Sequence, residues 1–205
     1  MKRVHVWFLV FVLATQIPSQ AAVTLVSNLS NSESEQVQFW TGSPVYQSFQ
    51  VGSSNATLTG ISLAFGSVVN PTGVQVSLYR DNTSTPGSSL GSFSYFGPPA
   101  GIPYNTPSFT GSFNVDANTK YWIGVTTTGG SVGDGNYLSF SGDFSETGLS
   151  GWSIGNTFLD TGYGSSPVSN SGSIRMEISG SVPEPSSLSL LALGLGALAL
   201  HRRRS

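Results

Sequence analysis

Cysteine is absent, and charge is scarce: Asp, Glu, Lys and Arg make up 9% of 205 residues, against roughly 25% in a typical soluble domain. Without cysteine there is no disulfide, no thiolate nucleophile and no cysteine-ligated zinc. That absence fits a reduced compartment or an exported protein that needs no covalent staple. Histidine occurs only at His5 and His201, so the long middle of the chain has none. Ser-His-Asp and Cys-His catalysis and histidine-held metals are thereby excluded there. Basic residues are nearly as rare. Lys2 and Arg3 open the chain and Arg202, Arg203 and Arg204 close it, leaving only Arg80, Lys120 and Arg175 between them. Ten carboxylates share that middle and its C-terminal edge. Such a body has no cationic surface with which to displace phosphate counterions, which excludes nucleic acid as a partner.

Long helical periodicity is also missing. Residues 23–181 instead carry short apolar-polar alternations between clusters of Gly, Asn, Pro and Ser. Ile61, Leu63 and Phe65 form one such row, as do Val74, Val76 and Leu78. Tyr121, Ile123 and Val125 form another, and Ile174, Met176 and Ile178 a fourth. Less regular runs lie at 45–51, 90–96, 109–115, 137–141 and 151–158. About nine or ten short strands follow, with one face apolar and the other Ser, Thr or Gln. The expected fold is all-β, an antiparallel, jelly-roll-like β-sandwich in one domain. Asn70-Pro71-Thr72-Gly73, Arg80-Asp81-Asn82 and Asp116-Ala117-Asn118 read as turns. The proline-rich stretch 97–107 reads as an irregular crossover.

The two ends differ from this body. Met1-Lys2-Arg3 precedes an apolar run at 4–14, then Pro18-Ser19-Gln20-Ala21-Ala22. A positive start, an apolar stretch too short to span a membrane and small residues at Ser19 and Ala21 read as a signal peptide, residues 1–21. Cutting after Ala21 is the first choice and after Ala22 the next. Residues 22–181 would then be the β-sandwich body. At the other end Val182-Pro183-Glu184-Pro185 leads into an apolar run at 188–200 and then His201-Arg202-Arg203-Arg204-Ser205. As a helix, residues 186–200 cover roughly 22 Å, which snorkelling arginines and local thinning reconcile with a roughly 30 Å hydrocarbon core. Arg202, Arg203 and Arg204 set a cytoplasmic C-terminus and place the body across the membrane.

Pro183-Glu184-Pro185, a Leu/Ala/Gly helix and a terminal arginine cluster together resemble the PEP-CTERM sorting signal of Gram-negative bacteria, here residues 182–205. The resemblance implies processing near the Pro-Glu-Pro by an exosortase, a membrane-embedded protease-transpeptidase. It also implies transient residence in the inner membrane, then delivery to the outer surface or extracellular matrix, in association with exopolysaccharide. A plain tail anchor with an incidental Pro-Glu-Pro is the competing reading. A glycolipid-anchor signal fits less well, because the arginines end the chain and a polar spacer is missing. The body is similar to choice-of-anchor domains of the R type over about residues 36–180. That likeness rests on Tyr46-Gln47-Ser48-Phe49, Ile61-Ser62-Leu63, Val76-Ser77-Leu78-Tyr79-Arg80, Pro86-Gly87, Tyr121-Trp122-Ile123 and Gly151-Trp152. It implies a β-sandwich and supplies no chemistry.

Three chemistries remain to be weighed in the body. Glycoside hydrolysis needs two acids and no histidine, and Asp134, Asp143, Glu146 and Asp160 are the acids that could meet at a loop rim. Solvated loop acids are the plainer reading, so no enzyme and no catalytic residue are expected. Gly133-Asp134-Gly135-Asn136 with Asp143 offers oxygen ligands to Ca²⁺ but no EF-hand loop. A glycine-rich hairpin explains the same residues, and no cofactor is expected. Sugar binding is the serious alternative: exposed aromatics would stack on pyranose faces, with Trp40, Trp122, Trp152 and Tyr163 available. Trp122 points opposite to Tyr121, Ile123 and Val125, either into a second buried layer or outward as a platform.

Overall fold

Alternating apolar and hydroxyl side chains commit this chain to strands, because only a pleated backbone sends such a row to two different faces. The computed structural model describes residues 22–67, 73–96, 106–128, 136–160, 165–168 and 172–183. Its strands in chain order begin with β1 (Val23–Ser27), β2 (Glu35–Gln38), β3 (Val45–Gln50), β4 (Ala56–Leu63) and β5 (Phe65–Ser67). They continue with β6 (Val74–Asp81), β7 (Pro86–Phe96), β8 (Ser108–Val115), β9 (Lys120–Thr127) and β10 (Tyr137–Ser141). The last are β11 (Thr147–Gly148), β12 (Ser153–Asp160), β13 (Ser165–Val168), β14 (Ser173–Ile174) and β15 (Met176–Ser181). The fold is all-β and antiparallel, as the alternation predicts.

The expected sandwich is made mainly by one sheet. Eleven strands run in the order β11-β1-β15-β4-β8-β7-β6-β9-β3-β12-β13, and the sheet curls so that its two halves share one core. The turning point is β7. Its first part pairs with β6, through Val76↔Phe93 to Asp81↔Pro86, and its last residues pair with β8, through Ser94↔Thr110 to Phe96↔Ser108. A second sheet, β14-β10-β2 with β5 also on β10, closes one end. Ile61, Leu63, Val76, Leu78, Ile123, Val125, Met176 and Ile178 are all buried in the shared core. Phe49 lies between the rings of Tyr121 and Trp152, with centroids 5.9 and 6.3 Å away.

The halves are also joined by buried polar groups. Gln47 of β3 is fully buried. Its Nε2 donates to the Gly155 carbonyl at 2.6 Å, while its Oε1 accepts from Thr157 Oγ1 at 2.8 Å and from the Ile174 amide at 2.9 Å. One side chain thus ties β3, β12 and β14. Asn28 does the same beyond β1. Its Nδ2 donates to Ser173 Oγ and the Ile174 carbonyl, and its Oδ1 accepts from the Met176 amide at 2.7 Å. Buried amides in such positions are satisfied on both ends, as low-dielectric surroundings require.

Every strand of the long sheet runs between two rims. The first rim holds the start of β1, β4, β7, β9 and β12 and the end of β3, β6, β8 and β15, as the antiparallel registers dictate. The far rim holds the opposite ends and the closing sheet. The expected signal peptide at 1–21, including Ser19 and Ala21, lies outside the described residues. So do Glu184, Pro185, the expected helix at 186–200 and Arg202, Arg203 and Arg204. No helix among the described residues is long and apolar enough to cross a membrane.

Candidate functional site

The sorting signal begins where the fold ends. β15 lies between β1 and β4 rather than at an edge. Six registered pairs, from Met176↔Leu63 to Ser181↔Thr57, bind it to β4. Val182, the residue after the strand, still packs against the core, and Pro183 is exposed. Proline has no amide proton with which to continue the ladder, so pairing stops at the motif. Close approach also shapes this end. A Cβ on Gly180 would run into the Thr57 carbonyl oxygen and the Leu25 side chain, which is why glycine serves there. β1 flanks β15 on its other side through Val23↔Gly180 and Thr24↔Ser179. The first residue of the first strand therefore neighbours the last turn of the last strand. Ala22, the alternative cleavage point, is exposed immediately before it.

Of the aromatic residues proposed as a sugar platform, the described Trp40, Trp122 and Trp152 are not gathered on one surface. Trp152 is 8% exposed and stacks flat against Phe49 in the core, at an interplanar angle of 4°. Trp122 is 2% exposed. It does face outward from β9, away from Ile123, but Phe158 of β12 packs edge-on against it at 6.2 Å. Its Nε1 donates to Asp81 Oδ1 at 2.7 Å. The platform role for Trp122 and Trp152 is thus corrected: both rings are consumed by packing. Trp40 is half-buried at the far rim, where its carbonyl accepts from Thr126 Oγ1. Tyr163 lies outside the described residues.

A different aromatic pair occupies the outer face of this half. Tyr46 and Tyr79 meet edge-to-face at 5.3 Å, and Tyr46 also touches Phe158. Both tyrosines are half-buried. They pack over Gly124, where any Cβ would collide with both rings. In sequence Tyr46 sits between the buried Val45 and Gln47, and Tyr79 between the buried Leu78 and the exposed Arg80, but their meeting depends on the register Ser77↔Gly124↔Tyr46. Burial, helped by Tyr79 and Asp160, pushes the Tyr46 phenol up to about 12. In the unfolded chain it ionises near 10.0. Stability is therefore independent of this group below about pH 9 and falls as pH climbs from about 10 to about 12, where the unfolded chain ionises first. Tyr46→Phe should flatten the difference in urea midpoint between about pH 9 and pH 11 relative to the parent.

The same outer face continues from β6 across β7, β8, β4 and β15, where hydroxyls and amides cover it. Ser62 and Ser108 share a hydrogen bond of 2.9 Å, Ser77 and Ser92 one of 2.8 Å. Thr57 Oγ1 donates to Asn114 Oδ1, and Gln75 Nε2 to Ser92 Oγ. Ser94, Thr110 and Ser112 are exposed between them.

The described carboxylates each have their own surroundings. Asp143 Oδ1 accepts from the Ser145 amide, and its carbonyl accepts from Asn31 Nδ2 at the far rim. Glu146 Oε1 accepts from the Ile154 amide at 2.8 Å, joining the β11 edge to β12. Burial raises the Glu146 carboxyl above its ordinary value despite that hydrogen bond. Asp160 lies at the end of β12 near Tyr46. Glu33 shifts the other way, lowered by hydrogen bonds from Ser139 and Gln36. Gly133, Asp134 and Gly135 lie outside the described residues, and the Asn136 carbonyl accepts from the Phe39 amide. Among the described residues no group of three or more His, Cys, Asp or Glu is placed to hold a metal ion.

Residues 181–205 match the family model described as PEP-CTERM protein-sorting motif. The match starts at the last residue of β15 and runs to Ser205. No curated protein matches the chain.

Proposed function

From a chain that ends in a PEP-CTERM protein-sorting motif, and so belongs to an exported protein sorted by exosortase through a membrane-held intermediate in a Gram-negative bacterium, we propose a non-catalytic structural or adhesive role at the cell surface, in association with exopolysaccharide. The observation that carries the reading is the hydroxyl- and amide-covered face of β15-β4-β8-β7-β6. Such a face offers hydrogen bonds to a hydrated polysaccharide over a wide area. The body's resemblance to choice-of-anchor R type domains agrees with a surface module, and the scarcity of charge suits a hydrated matrix.

A second reading, a carbohydrate-binding module, has one specific observation in its favour: the half-buried Tyr46–Tyr79 pair, with Tyr79 in the same outer row of β6 as Gln75 and Ser77. The two readings separate in one experiment. Exopolysaccharide from the producing cells should retain the exported protein in a pull-down, and Tyr46→Ala/Tyr79→Ala should retain it equally. Loss of retention in that double variant, with the fold intact, moves the function to an aromatic sugar site. No retention of either protein removes exopolysaccharide as the partner.

A further inference from the structure

Both ends of the body leave the fold at one rim, and this rim differs from the rest of the surface. Val23 and Gly180 are Cα partners, which places them about 5 Å apart. Beyond Val182 only residues 183–187 separate the packed core from the apolar run at 188–200. Five residues span at most about 18 Å when fully extended. A body held by that run cannot turn its far rim to the bilayer.

Side chains at the same rim suit a lipid surface. Among the described residues three large apolar side chains are exposed: Val23, Leu149 and Phe144. Val23 opens β1, and the Leu149 amide donates to the Leu25 carbonyl beside it, so two of the three lie at this rim. Phe144 lies at the other end, between Asp143 and Ser145, whose carbonyls both accept from Asn31. The sparse cations follow the same division. Arg80, Asp81 and Lys120 line a shallow depression of about 330 Å³ at the first rim, with Asn118, Thr119 and Tyr121. Acids accompany them and nearly balance their charge: Asp81 accepts from the Trp122 indole and the Ser84 amide, Asp116 from the Tyr121 hydroxyl, and Glu146 from the Ile154 amide at the start of β12. Glu33, Glu35, Asp143, Asp160 and Glu177 belong to the far half, where Arg175 is the remaining cation of the body.

We propose that in the membrane-held precursor the body rests on the bilayer with this rim, Val23 and Leu149 meeting the lipid interface, while the more acidic far half faces away from it. Small apolar contacts add reversible interfacial binding to a tether that is already in place. Removal of the tail then frees the rim. The inference rests on the sorting reading above and adds a direction to it.

The test uses the cysteine-free chain as its own blank. Leu149→Cys and Phe144→Cys are made separately in a Pro183→Ala/Glu184→Ala/Pro185→Ala background, which holds the precursor unprocessed, and again with the motif intact. Both positions are exposed, and protease resistance checks the fold; Val23→Cys replaces Leu149→Cys if the latter is degraded. In isolated membranes a membrane-impermeant maleimide should label the Leu149→Cys precursor at least about fivefold more slowly than the Phe144→Cys precursor, as interfacial burial requires. On the processed, released chains the two rates should converge. Equal rates on membrane-held precursors overturn the proposal and leave the sorting reading standing. A full-length chain found in the soluble cytosolic fraction overturns both. Protection of Leu149→Cys that disappears in cells making no exopolysaccharide assigns the rim to polysaccharide and overturns the lipid contact.

Discussion

Gln47→Leu is expected to remove about 2–5 kcal/mol of folding stability, because it leaves several buried groups without partners at about 1–3 kcal/mol each. The Ile174 amide and the Gly155 carbonyl lose hydrogen bonds of 2.9 and 2.6 Å, and Thr157 Oγ1 loses one of its two acceptors. Leucine has nearly the right bulk, so a cavity contributes little, and the loss reports the hydrogen bonds. A domain of this size has roughly 5–15 kcal/mol in total, so the variant should sit close to unfolding at growth temperature. Urea denaturation should give a lower midpoint with an unchanged slope. A midpoint shift below about 1 kcal/mol equivalent would mean that the two halves are held together by apolar packing alone.

Trp122→Ala is expected to cost about 3–5 kcal/mol, the range for emptying a buried aromatic site. The indole fills the outer layer between β9 and β12 against Phe158, and its Nε1 donates a hydrogen bond to the Asp81 carboxylate. Trp122→Phe should recover much of the packing and leave Asp81 without that donor. Thermal or urea unfolding distinguishes this from a recognition role. A platform tryptophan would lose sugar retention at constant stability, whereas a packing tryptophan loses stability first. Normal stability of Trp122→Ala would return Trp122 to the candidate binding residues.

The sequence made the strands legible wherever alternation was clean. β4, β6, β9 and β15 stand at the rows Ile61-Leu63, Val74-Val76-Leu78, Tyr121-Ile123-Val125 and Met176-Ile178. β1 was hidden by a register shift between Thr24 and Val26, after which Leu25, Val26 and Ser27 are all buried and the period of two is lost. β2, Glu35-Gln36-Val37-Gln38, has one apolar residue and is a strand because β10 pairs with it. β14 has two residues and gives no periodic signal. The curl at β7 is equally invisible, since it depends on one strand changing partners midway along its length. Trp122 could be placed on the face opposite Ile123 from sequence, but whether that face is covered was decided by Phe158, 36 positions away in the chain. Gln47 belongs to the inward row Val45-Gln47-Phe49, where polarity masks a core position. The sorting motif was readable in full for the opposite reason. A linear pattern of Pro-Glu-Pro, apolar run and terminal arginines needs no tertiary contact to define it.

Intact-mass analysis of the protein recovered from cells that carry the sorting machinery tests the central claim most directly. The account predicts one principal species lacking the residues up to Ala21 or Ala22 and lacking the apolar run and the three arginines beyond Pro185. In the Pro183→Ala/Glu184→Ala/Pro185→Ala variant the C-terminal residues should remain and the chain should stay with the inner membrane. A single species of full-length mass in the cytosol, unchanged by that variant, would contradict the account.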